Sequence, residues 1–284
     1  MGTIPEQAGD VWGEDDNARR YDAYARKYPS YRETSRDLVA VALPSTDAGV
    51  ADAAVLDLAC GTGATTREIL AVLSPHGRVT GVDQSAAMLA VAASSTTDPR
   101  ASWIHARAES VGEHVRDPVD AIVCNSAIWQ TDLAATAKAA RAVLKAGGRF
   151  AFNVPVDFLG DRASHGSDGR YPSLISEMRA IAAHDYGWAP PDNGRDRAGQ
   201  RLTRDSICRT LEAAGFDVEL ITEVSHLGSA DAARAWLSIP IFTRDRLSGL
   251  SYAERMRVLD KAYERLGPGQ TERGRWVVFL WRAS

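Results

Sequence analysis

The stretch Val55–Gly63, which reads Val-Leu-Asp-Leu-Ala-Cys-Gly-Thr-Gly, constrains the fold of this chain more than any other. Its apolar residues predict a buried strand, its glycines a tight turn, and the residues from Ala64 onward a helix. Glycine has no Cβ and tolerates positive φ, so a ligand can approach the backbone of such a turn closely. The helix that follows directs its free N–H groups and its positive dipole end at that ligand. The stretch therefore predicts an α/β unit with a ligand above the turn.

Two carboxylates narrow the choice of ligand. A second predicted strand, residues 78–82, ends at Asp83, where nucleotide-binding α/β units keep the acid that binds ribose hydroxyls. Thr66 stands where the dinucleotide fingerprint has its third glycine, which weakens an NAD(P) interpretation. Asp57 puts a carboxylate beside the turn, where a pyrophosphate is unfavourable and a cationic group is favourable. The chain also lacks the G-x-x-x-x-G-K-[ST] phosphate loop. These features favour an adenosine ligand with a cationic amino acid end.

Strands and helices alternate along the chain. After the first strand, the predicted strands are 78–83, 102–105, 119–124, 149–154, 216–223 and 275–282. Alternation of this kind predicts a parallel sheet with helices on both faces. The expected fold class is α/β, a Rossmann-like seven-stranded and mostly parallel sheet.

Two segments are expected to cover the sheet. Residues 1–50 are predicted to form an N-terminal arm and cover helices, with a loose arm over 1–16 and helices over 17–28 and 33–43. Residues 51–284 are predicted to form the ligand-binding domain. Within it, residues 156–202 are rich in Gly, Asp, Arg and Pro, and a stretch of this length after the fifth strand is typical of a lid.

Composition excludes several classes of protein. The net charge of −4 argues against a nucleic-acid surface, which needs a basic excess. Three scattered cysteines without C-x-x-C spacing predict neither disulfides nor a metal site, and they favour a reducing cytoplasm. No apolar run reaches membrane-spanning length. We therefore expect a cytoplasmic protein, a monomer or homodimer, whose partner is a small molecule rather than nucleic acid or membrane.

At this point the sequence resembles a known family. The stretch 55–63 is similar to motif I of class I S-adenosylmethionine (SAM)-dependent methyltransferases, and the resemblance extends over residues 17–154. The later motifs recur in order and spacing at residues 79–85 with Met88 and Leu89, 106–109, 120–125 and 144–149. The closest group is the small-molecule methyltransferases. The resemblance implies SAM as the cofactor and methylation of an oxygen or nitrogen atom of a small organic acceptor, in specialised metabolism.

The resemblance also implies which residues contact SAM. The implied contacts, from the methionine end to the adenine, are Tyr21 or Tyr28, Asp57, Ala59, Cys60, Gly61, Gly63, Cys124 or Asn125, Asp83, Gln84, Met88, Arg107 and Ala108. Ala59 replaces the first glycine of the family motif. Arg107 stands where the family often has an aspartate that binds the adenine amino group. Because arginine has no acceptor, that contact passes to the backbone or to Glu109, or Arg107 points to solvent.

Residues for the acceptor are less well defined by the sequence. Alignment and a dry pocket supply most of the catalysis in methyl transfer, and an oxygen or nitrogen acceptor can also need a base. His165, His184 and His226 are the candidate bases, and His105 is placed on the adenine side. The substrate-pocket candidates are Trp129, Tyr24 and Trp188, each of which can equally pack without touching substrate.

Other uses of the same pocket stay open at this stage. One is an enzyme that uses SAM non-classically, by intramolecular cyclisation of the cofactor or in a pericyclase-like role. Another is a binding module without catalysis, against which the intact turn and Asp83 argue. The tetrad Asn/Asp-Pro-Pro-Tyr does not follow the fourth strand, which points away from a nucleobase or amide acceptor.

Overall fold

In the computed structural model, the residues described are 10–43, 52–160, 173–190, 202–269 and 271–284. Seven strands form one sheet. They are β1 (Ala54–Leu58), β2 (Arg78–Asp83), β3 (Ala101–His105), β4 (Val119–Cys124), β5 (Leu144–Pro155), β6 (Phe216–Ser229) and β7 (Thr271–Ala283).

The order of the strands across the sheet is β3-β2-β1-β4-β5-β7-β6. All neighbouring pairs are parallel except β5–β7 and β6–β7, which are antiparallel. The prediction of a seven-stranded, mostly parallel Rossmann-like sheet is therefore confirmed. The order reverses between β1 and β4, and ligands of such sheets bind at this switch point, beyond the carboxyl ends of the strands.

Helices cover the sheet on both faces. They are α1 (Asn17–Lys27), α2 (Pro29–Ala42), α3 (Ala64–Val72), α4 (Ala86–Ser95), α5 (Val111–His114), α6 (Leu133–Val143), α7 (Leu174–Tyr186), α8 (Arg204–Ala213), α9 (Ala230–Leu237), α10 (Pro240–Arg244) and α11 (Tyr252–Leu266). The predicted caps form, since the Ser85 hydroxyl accepts from the Met88 N–H and the Thr203 hydroxyl from the Ser206 N–H.

The central strands are buried on both faces, which explains their largely apolar sequence. Leu56 and Leu58 of β1 pack in one core with Phe150 and Trp281, beneath α6 and α8. Val55 packs in the other core, beneath α2 and α3. Since β7 contributes to both cores, the C-terminal strand completes the interior of the protein.

Several boundaries differ from the prediction. Helix α2 begins at Pro29 rather than Glu33, because proline has the φ of a first helical residue and needs no N–H partner there. Strand β6 extends beyond its expected end to Ser229, and strand β7 begins earlier than expected, at Thr271. The two strands pair along these extensions. The short helix α10 was not predicted.

The expected loose arm is also wrong for its last described residues. Asp10 accepts hydrogen bonds from the Ser85 hydroxyl (2.7 Å) and the Ala87 N–H (3.0 Å) at the start of α4. Trp12 packs edge-on against Tyr21. Residues 10–13 are therefore docked on the domain.

We call α1, α2, α7 and α9–α11, which come from three parts of the chain, together the cap. The described part of the expected lid, residues 156–202, supplies α7 to it. A second insertion between β6 and β7 supplies α9–α11, and α7 packs with α9 and α11 around Met178 and Leu259. Division of the chain at residue 50 stays a prediction, and the remainder of the expected lid lies largely outside the described residues. Among the helices described, none has the length and apolarity to cross a membrane.

Candidate functional site

The glycine turn after β1 has the backbone conformation that a close ligand approach requires. Gly61 and Gly63 have φ of +55° and +75°, and Ala59 has φ of +54°, which is unusual for a residue with a Cβ. A Cβ added to Gly63 would lie 2.8 Å from the ring of Trp103, and one added to Gly81 of the neighbouring strand would lie 2.5 Å from the same ring. The conformation of the turn is thus fixed both by the positive φ angles of its residues and by the close packing of Trp103.

Asp83 lies at the end of β2 beside the turn. Its Oδ2 accepts a hydrogen bond from the Gly61 N–H (2.8 Å), and its Oδ1 accepts one from the Ser85 N–H (2.9 Å). Burial raises the pKa of Asp83, while these two backbone donors lower it. The carboxylate is fixed by the backbone alone and keeps lone pairs that a ligand hydroxyl can use.

Asp57 lies within β1 and is 1% exposed. Its Oδ2 accepts a hydrogen bond of 2.5 Å from the hydroxyl of Thr66 in α3. Burial raises the pKa of Asp57 to about 7, the Thr66 hydrogen bond opposes the rise, and the negative charge of Asp83 adds to it. A cation next to Asp57 would favour its ionised form.

Some of the residues expected around an adenine are buried, and others are exposed at the surface. Met88 is buried, and its Cε would lie 3.9 Å from a Cβ at Gly61. Ala108 is buried at the start of a 3₁₀ turn. Gln84 has an exposed side chain, and its carbonyl faces Nε2 of His105 at 2.9 Å. Hence the side chain of Gln84 is not held toward the turn by any hydrogen bond within the described part of the chain.

Arg107 points to solvent, which is one of the alternatives that the sequence left open. Its side chain is half exposed and contacts Glu109 at 3.3 Å. Glu109 in turn accepts the Asp132 N–H at 2.9 Å. The guanidinium therefore forms a surface ion pair, and the expected direct contact of Arg107 with the cofactor is not supported by its side-chain position.

Asn125, at the end of β4, lies in a buried polar network. Its Nδ2 donates to the hydroxyl of Ser35 in α2 (2.9 Å), and its Oδ1 accepts from Nδ2 of Asn153 in β5 (2.9 Å). Asn153 also accepts the N–H of Ser126, which has φ of +53°. Thr65 of α3 joins the network at 3.0 Å from Ser35. Since its amide is fully engaged here, Asn125 can offer a ligand only its backbone.

The two cysteines among the candidates are fully enclosed. Cys60 lies in the turn and Cys124 at the end of β4, and burial raises the pKa of both thiols. Both are therefore neutral thiols that shape the floor of the site rather than act as nucleophiles.

The N-terminal tyrosines divide into two groups. Tyr21 is buried, and its ring lies 4.0 Å from a Cβ position at Gly61, so it faces the turn as expected. Tyr28 packs against Tyr24 (5.1 Å between centroids) beneath the ammonium of Lys27, so the structure brings it to the side of α1 rather than to the turn. Tyr24 itself packs edge-on against Trp236 of α9 at 5.0 Å.

The candidate bases are not brought together. His165 lies outside the described residues. The structure contradicts the placing of His184 in the site, because its side chain is 85% exposed and bonds Asp185 (2.7 Å) on the surface. His226 is held between two carboxylates of α2, with Nε2 2.6 Å from Asp37 and Nδ1 3.4 Å from Glu33. Because both of its nitrogens are engaged, His226 joins β6 to the cap and is not free to act as a base.

The two candidate tryptophans have different surroundings. Trp129 follows β4 and stacks on Phe158, which follows β5, with centroids 4.8 Å apart. Both lie at the carboxyl edge of the sheet, as expected for an acceptor wall. Trp188 packs on the α7–α11 cluster and donates its indole N–H to the Ser248 carbonyl at 3.0 Å, so it anchors the cap instead.

Sequence reasoning missed the aromatic layer that covers the turn. Trp236 stacks on Phe242 at 3.8 Å, and Trp12 packs edge-on against both Phe242 and Tyr21. These residues come from the N-terminal arm and the second insertion, so no local spacing connects them. Tyr31 of α2 was also missed, although it continues the run of tyrosines in α1.

Comparisons with known proteins identify the family to which this chain is similar. A family model described as a methyltransferase domain matches residues 55–148. The malonyl-[acyl-carrier protein] O-methyltransferase of Geobacter sulfurreducens (strain ATCC 51573 / DSM 12127 / PCA) is 33% identical over 209 residues, which cover 72% of this chain and 69% of that protein.

Solved structures share the fold at low identity. The match to the structure of the [4+2]-cyclase SpnF covers 87% of this chain and 80% of the SpnF chain, with a TM-score of 0.51 and 19% identity. A chain in the complex between the Haloferax volcanii Trm112 methyltransferase activator and a methyltransferase matches 96% of each chain, with a TM-score of 0.55 and 16% identity. At such identities these likenesses support the architecture and nothing finer.

Proposed function

The chain belongs to the class I SAM-dependent methyltransferases, and we propose that it methylates an oxygen or nitrogen atom of a small organic acceptor. The observation that carries the small-acceptor proposal is the aromatic layer over the turn. Trp236 packs against both Phe242 and Tyr21, and all three belong to one apolar cluster with Met88. A site roofed in this way suits a compact, apolar acceptor better than a macromolecular surface.

The residues at the turn fit SAM. A Cβ at Gly61 would meet only Met88 and Tyr21, and both contacts are near 4 Å, so the backbone is open to a ligand there. Asp83 is the proposed acceptor for the two ribose hydroxyls, and Asp57 is the proposed neighbour of the ammonium group. Burial raises the pKa of Asp57 to about 7, so ionisation of this carboxyl is disfavoured. A neighbouring cation would stabilise the ionised form.

When bound, SAM supplies a methyl group on an already activated sulfonium. The contribution of this chain is to orient and enclose the reactants. Ala59, Gly61 and Gly63 give the backbone approach, Met88 and Ala108 give apolar contact, and the cap excludes water. We propose Trp129 with Phe158 as one wall of the acceptor pocket, because their stacked rings lie beyond the ends of β4 and β5.

The name of the Geobacter relative favours an oxygen acceptor. That protein is an O-methyltransferase acting on malonyl-[acyl-carrier protein], and we extend to this chain only the proposal of O-methylation. The cytoplasmic location stays a prediction from the cysteine pattern.

The direct test is product analysis with SAM and a panel of small carboxylic acids, phenols and amines. S-Adenosylhomocysteine formed in step with a methylated acceptor is the expected result. Methylthioadenosine without methylation would instead indicate intramolecular cyclisation of the cofactor, and acceptor rearrangement without consumption of SAM would indicate a pericyclase-like role. Either result would overturn the proposal.

A further inference from the structure

Arg67 lies near the start of α3 and connects the glycine turn to the cap. Its guanidinium donates one hydrogen bond to the Thr62 carbonyl at 2.9 Å and another to the Asp22 carboxylate at 3.0 Å. Thr62 is the residue between Gly61 and Gly63, whereas Asp22 belongs to α1. A single side chain therefore joins the backbone of the turn to a helix of the cap.

The hydrogen bond to Thr62 fixes one peptide group of the turn. The N–H of Gly63 donates to the Cys60 carbonyl at 3.0 Å, and the oxygen of the same peptide group accepts from Arg67. Because a peptide group is planar, bonds at both of its polar atoms prevent its rotation. The orientation of this group sets how the backbone on either side of Thr62 is presented to a ligand.

Asp22 supplies the negative charge that Arg67 needs. It is buried, and it also accepts from Nε of Arg26 at 2.7 Å and from the hydroxyl of Ser95, the last residue of α4, at 3.3 Å. Burial lowers the pKa of Arg67, and the negative charge of Asp22 opposes this effect. Since a partly buried guanidinium without a partner is unfavourable, the position of Arg67 depends on the position of α1.

We propose that Arg67 is a positioning residue for the cofactor. Through the Thr62 carbonyl it holds the glycine turn in the conformation that receives the ligand, and through Asp22 it couples that conformation to the docking of α1. This inference rests on the proposed function, because it assigns the turn to SAM. A coupling free energy acts equally in both directions, so a bound ligand should in turn stabilise α1.

Arg100 offers a matched control. Its side chain and that of Arg67 are both 24% exposed, and each arginine forms an ion pair with an aspartate. Arg100 bonds Asp98 at 2.7 Å and donates to the Leu73 carbonyl at 3.0 Å, at the opposite end of α3 from the glycine turn. Substitution of either arginine therefore removes the same kinds of bond, but only one of them lies at the turn.

The test compares Arg67→Met with Arg100→Met in calorimetric titrations with S-adenosylhomocysteine. Methionine keeps an unbranched apolar stem and removes the donors and the charge. We expect the dissociation constant to rise about tenfold in Arg67→Met, because a hydrogen bond from a charged group to the turn is lost. In Arg100→Met it should stay within about twofold of the unmodified protein. Both variants should unfold at lower temperature.

Equal changes of the dissociation constant at the two arginines, or none in Arg67→Met, would overturn the positioning role and leave Arg67 with stability alone. Failure of the unmodified protein to bind S-adenosylhomocysteine would instead refute the proposed cofactor site, and this inference with it.

Asp22→Asn is a milder variant that tests the same bridge, since it removes the charge and keeps the size of the side chain. It should weaken binding less than Arg67→Met, and the double variant should bind no more weakly than Arg67→Met, because the two residues act through one contact. Saturating S-adenosylhomocysteine should slow hydrogen exchange in α1 of the unmodified protein but not of Arg67→Met. Unchanged affinity in Asp22→Asn, additive losses in the double variant, or protection of α1 retained without Arg67 would overturn the coupling to α1.

Discussion

The site is made of two regions that are stabilised in different ways. The floor, formed by the glycine turn and the strand ends, is fixed by backbone groups, since Asp83 is bonded by the N–H groups of Gly61 and Ser85. The cap is fixed by side chains, above all the stacked pair Trp236 and Phe242. The floor belongs to the cores of the sheet, whereas α7, α9 and α11 have a separate apolar cluster. The floor is therefore preorganised, and α7, α9 and α11 of the cap are stabilised by an apolar cluster of their own.

The polar network of Asn125 is where the two regions meet. It joins α2 of the cap to β4 and β5 of the floor through hydrogen bonds between buried groups. Buried polar groups are costly to leave unpaired, so this contact favours one closed position of α2. The cap is thus anchored to the floor at α2.

The largest expected effect is in the floor. Asp83→Ala removes the proposed acceptor of two ribose hydroxyls, each worth about 1.5–3 kcal/mol as a charge-assisted hydrogen bond. We expect the dissociation constant of S-adenosylhomocysteine to rise about a thousandfold in calorimetry.

Asp120→Asn is the control for Asp83→Ala, because Asp120 also accepts a backbone N–H, that of Ala54 at 2.8 Å, but at the opposite edge of the sheet. Its affinity for the ligand should stay within about twofold of the unmodified protein. An unchanged affinity in Asp83→Ala would remove Asp83 from the site.

The second effect concerns pH. The pKa of Asp57 is raised to about 7 in the folded protein from 3.8, so between these values the folded state binds more protons than the unfolded state. Stability therefore falls as pH rises through this window, by up to about 1.4 kcal/mol per pH unit, and is level on either side of it. Denaturant titrations of Asp57→Asn should lack this slope. A variant that keeps the full slope would assign the pH dependence to other groups.

Gly81→Ala tests the rigidity of the floor. Its Cβ would lie 2.5 Å from the Trp103 ring and 2.9 Å from the Cys60 sulfur, so one of these must move. We expect a loss of about 2–3 kcal/mol in the free energy of unfolding, seen as a lower midpoint in denaturant. Gly112→Ala, in α5, meets nothing within 4 Å and should be neutral or slightly stabilising. Equal losses of unfolding free energy at the two glycines would mean that the packing around Gly81 relaxes as readily as the surroundings of Gly112.

Sequence reasoning reached much of the floor but little of the cap, for a physical reason. Asp57, Gly61, Gly63 and Asp83 are set by the local order of strand, turn and helix, which the sequence carries directly. The Trp236–Phe242 layer depends on an insertion packing against α1, more than 200 residues away along the chain. No periodicity within one element encodes such a contact.

The failed predictions have the same origin. His184 and His226 were chosen by residue type, yet their roles depend on which acids the fold brings to them, Asp185 in one case and Asp37 with Glu33 in the other. Trp188 was chosen for its place in the expected lid, and its partner is the distant Ser248 carbonyl. The motif residues could be identified because they are close to one another in the sequence. The positions of the other candidate residues depend on long-range packing.

Trp236→Ala tests the independence of the cap. The side chain is half-buried between Phe242 and the rings of Tyr24 and Tyr21, so its removal should cost about 2 kcal/mol. We expect the loss to appear as faster hydrogen exchange in α9–α11, with β1 and β4 protected as before. Equal acceleration in the cap and the central strands would show that the two regions unfold as one unit.

The smallest effect distinguishes backbone strain from packing within the floor. Ala59 has φ of +54°, where a Cβ costs roughly 1 kcal/mol and glycine costs nothing. Ala59→Gly should relieve that cost but also increase the freedom of the unfolded chain, so the net gain in unfolding free energy is about 0.5 kcal/mol. Ala64→Gly, at the first residue of α3, should have the opposite sign, because only the entropic cost remains in a right-handed helix. If both substitutions destabilise the protein equally, the turn gains nothing from a glycine at position 59, and its geometry is set by Gly61, Gly63 and the packing of Trp103 alone.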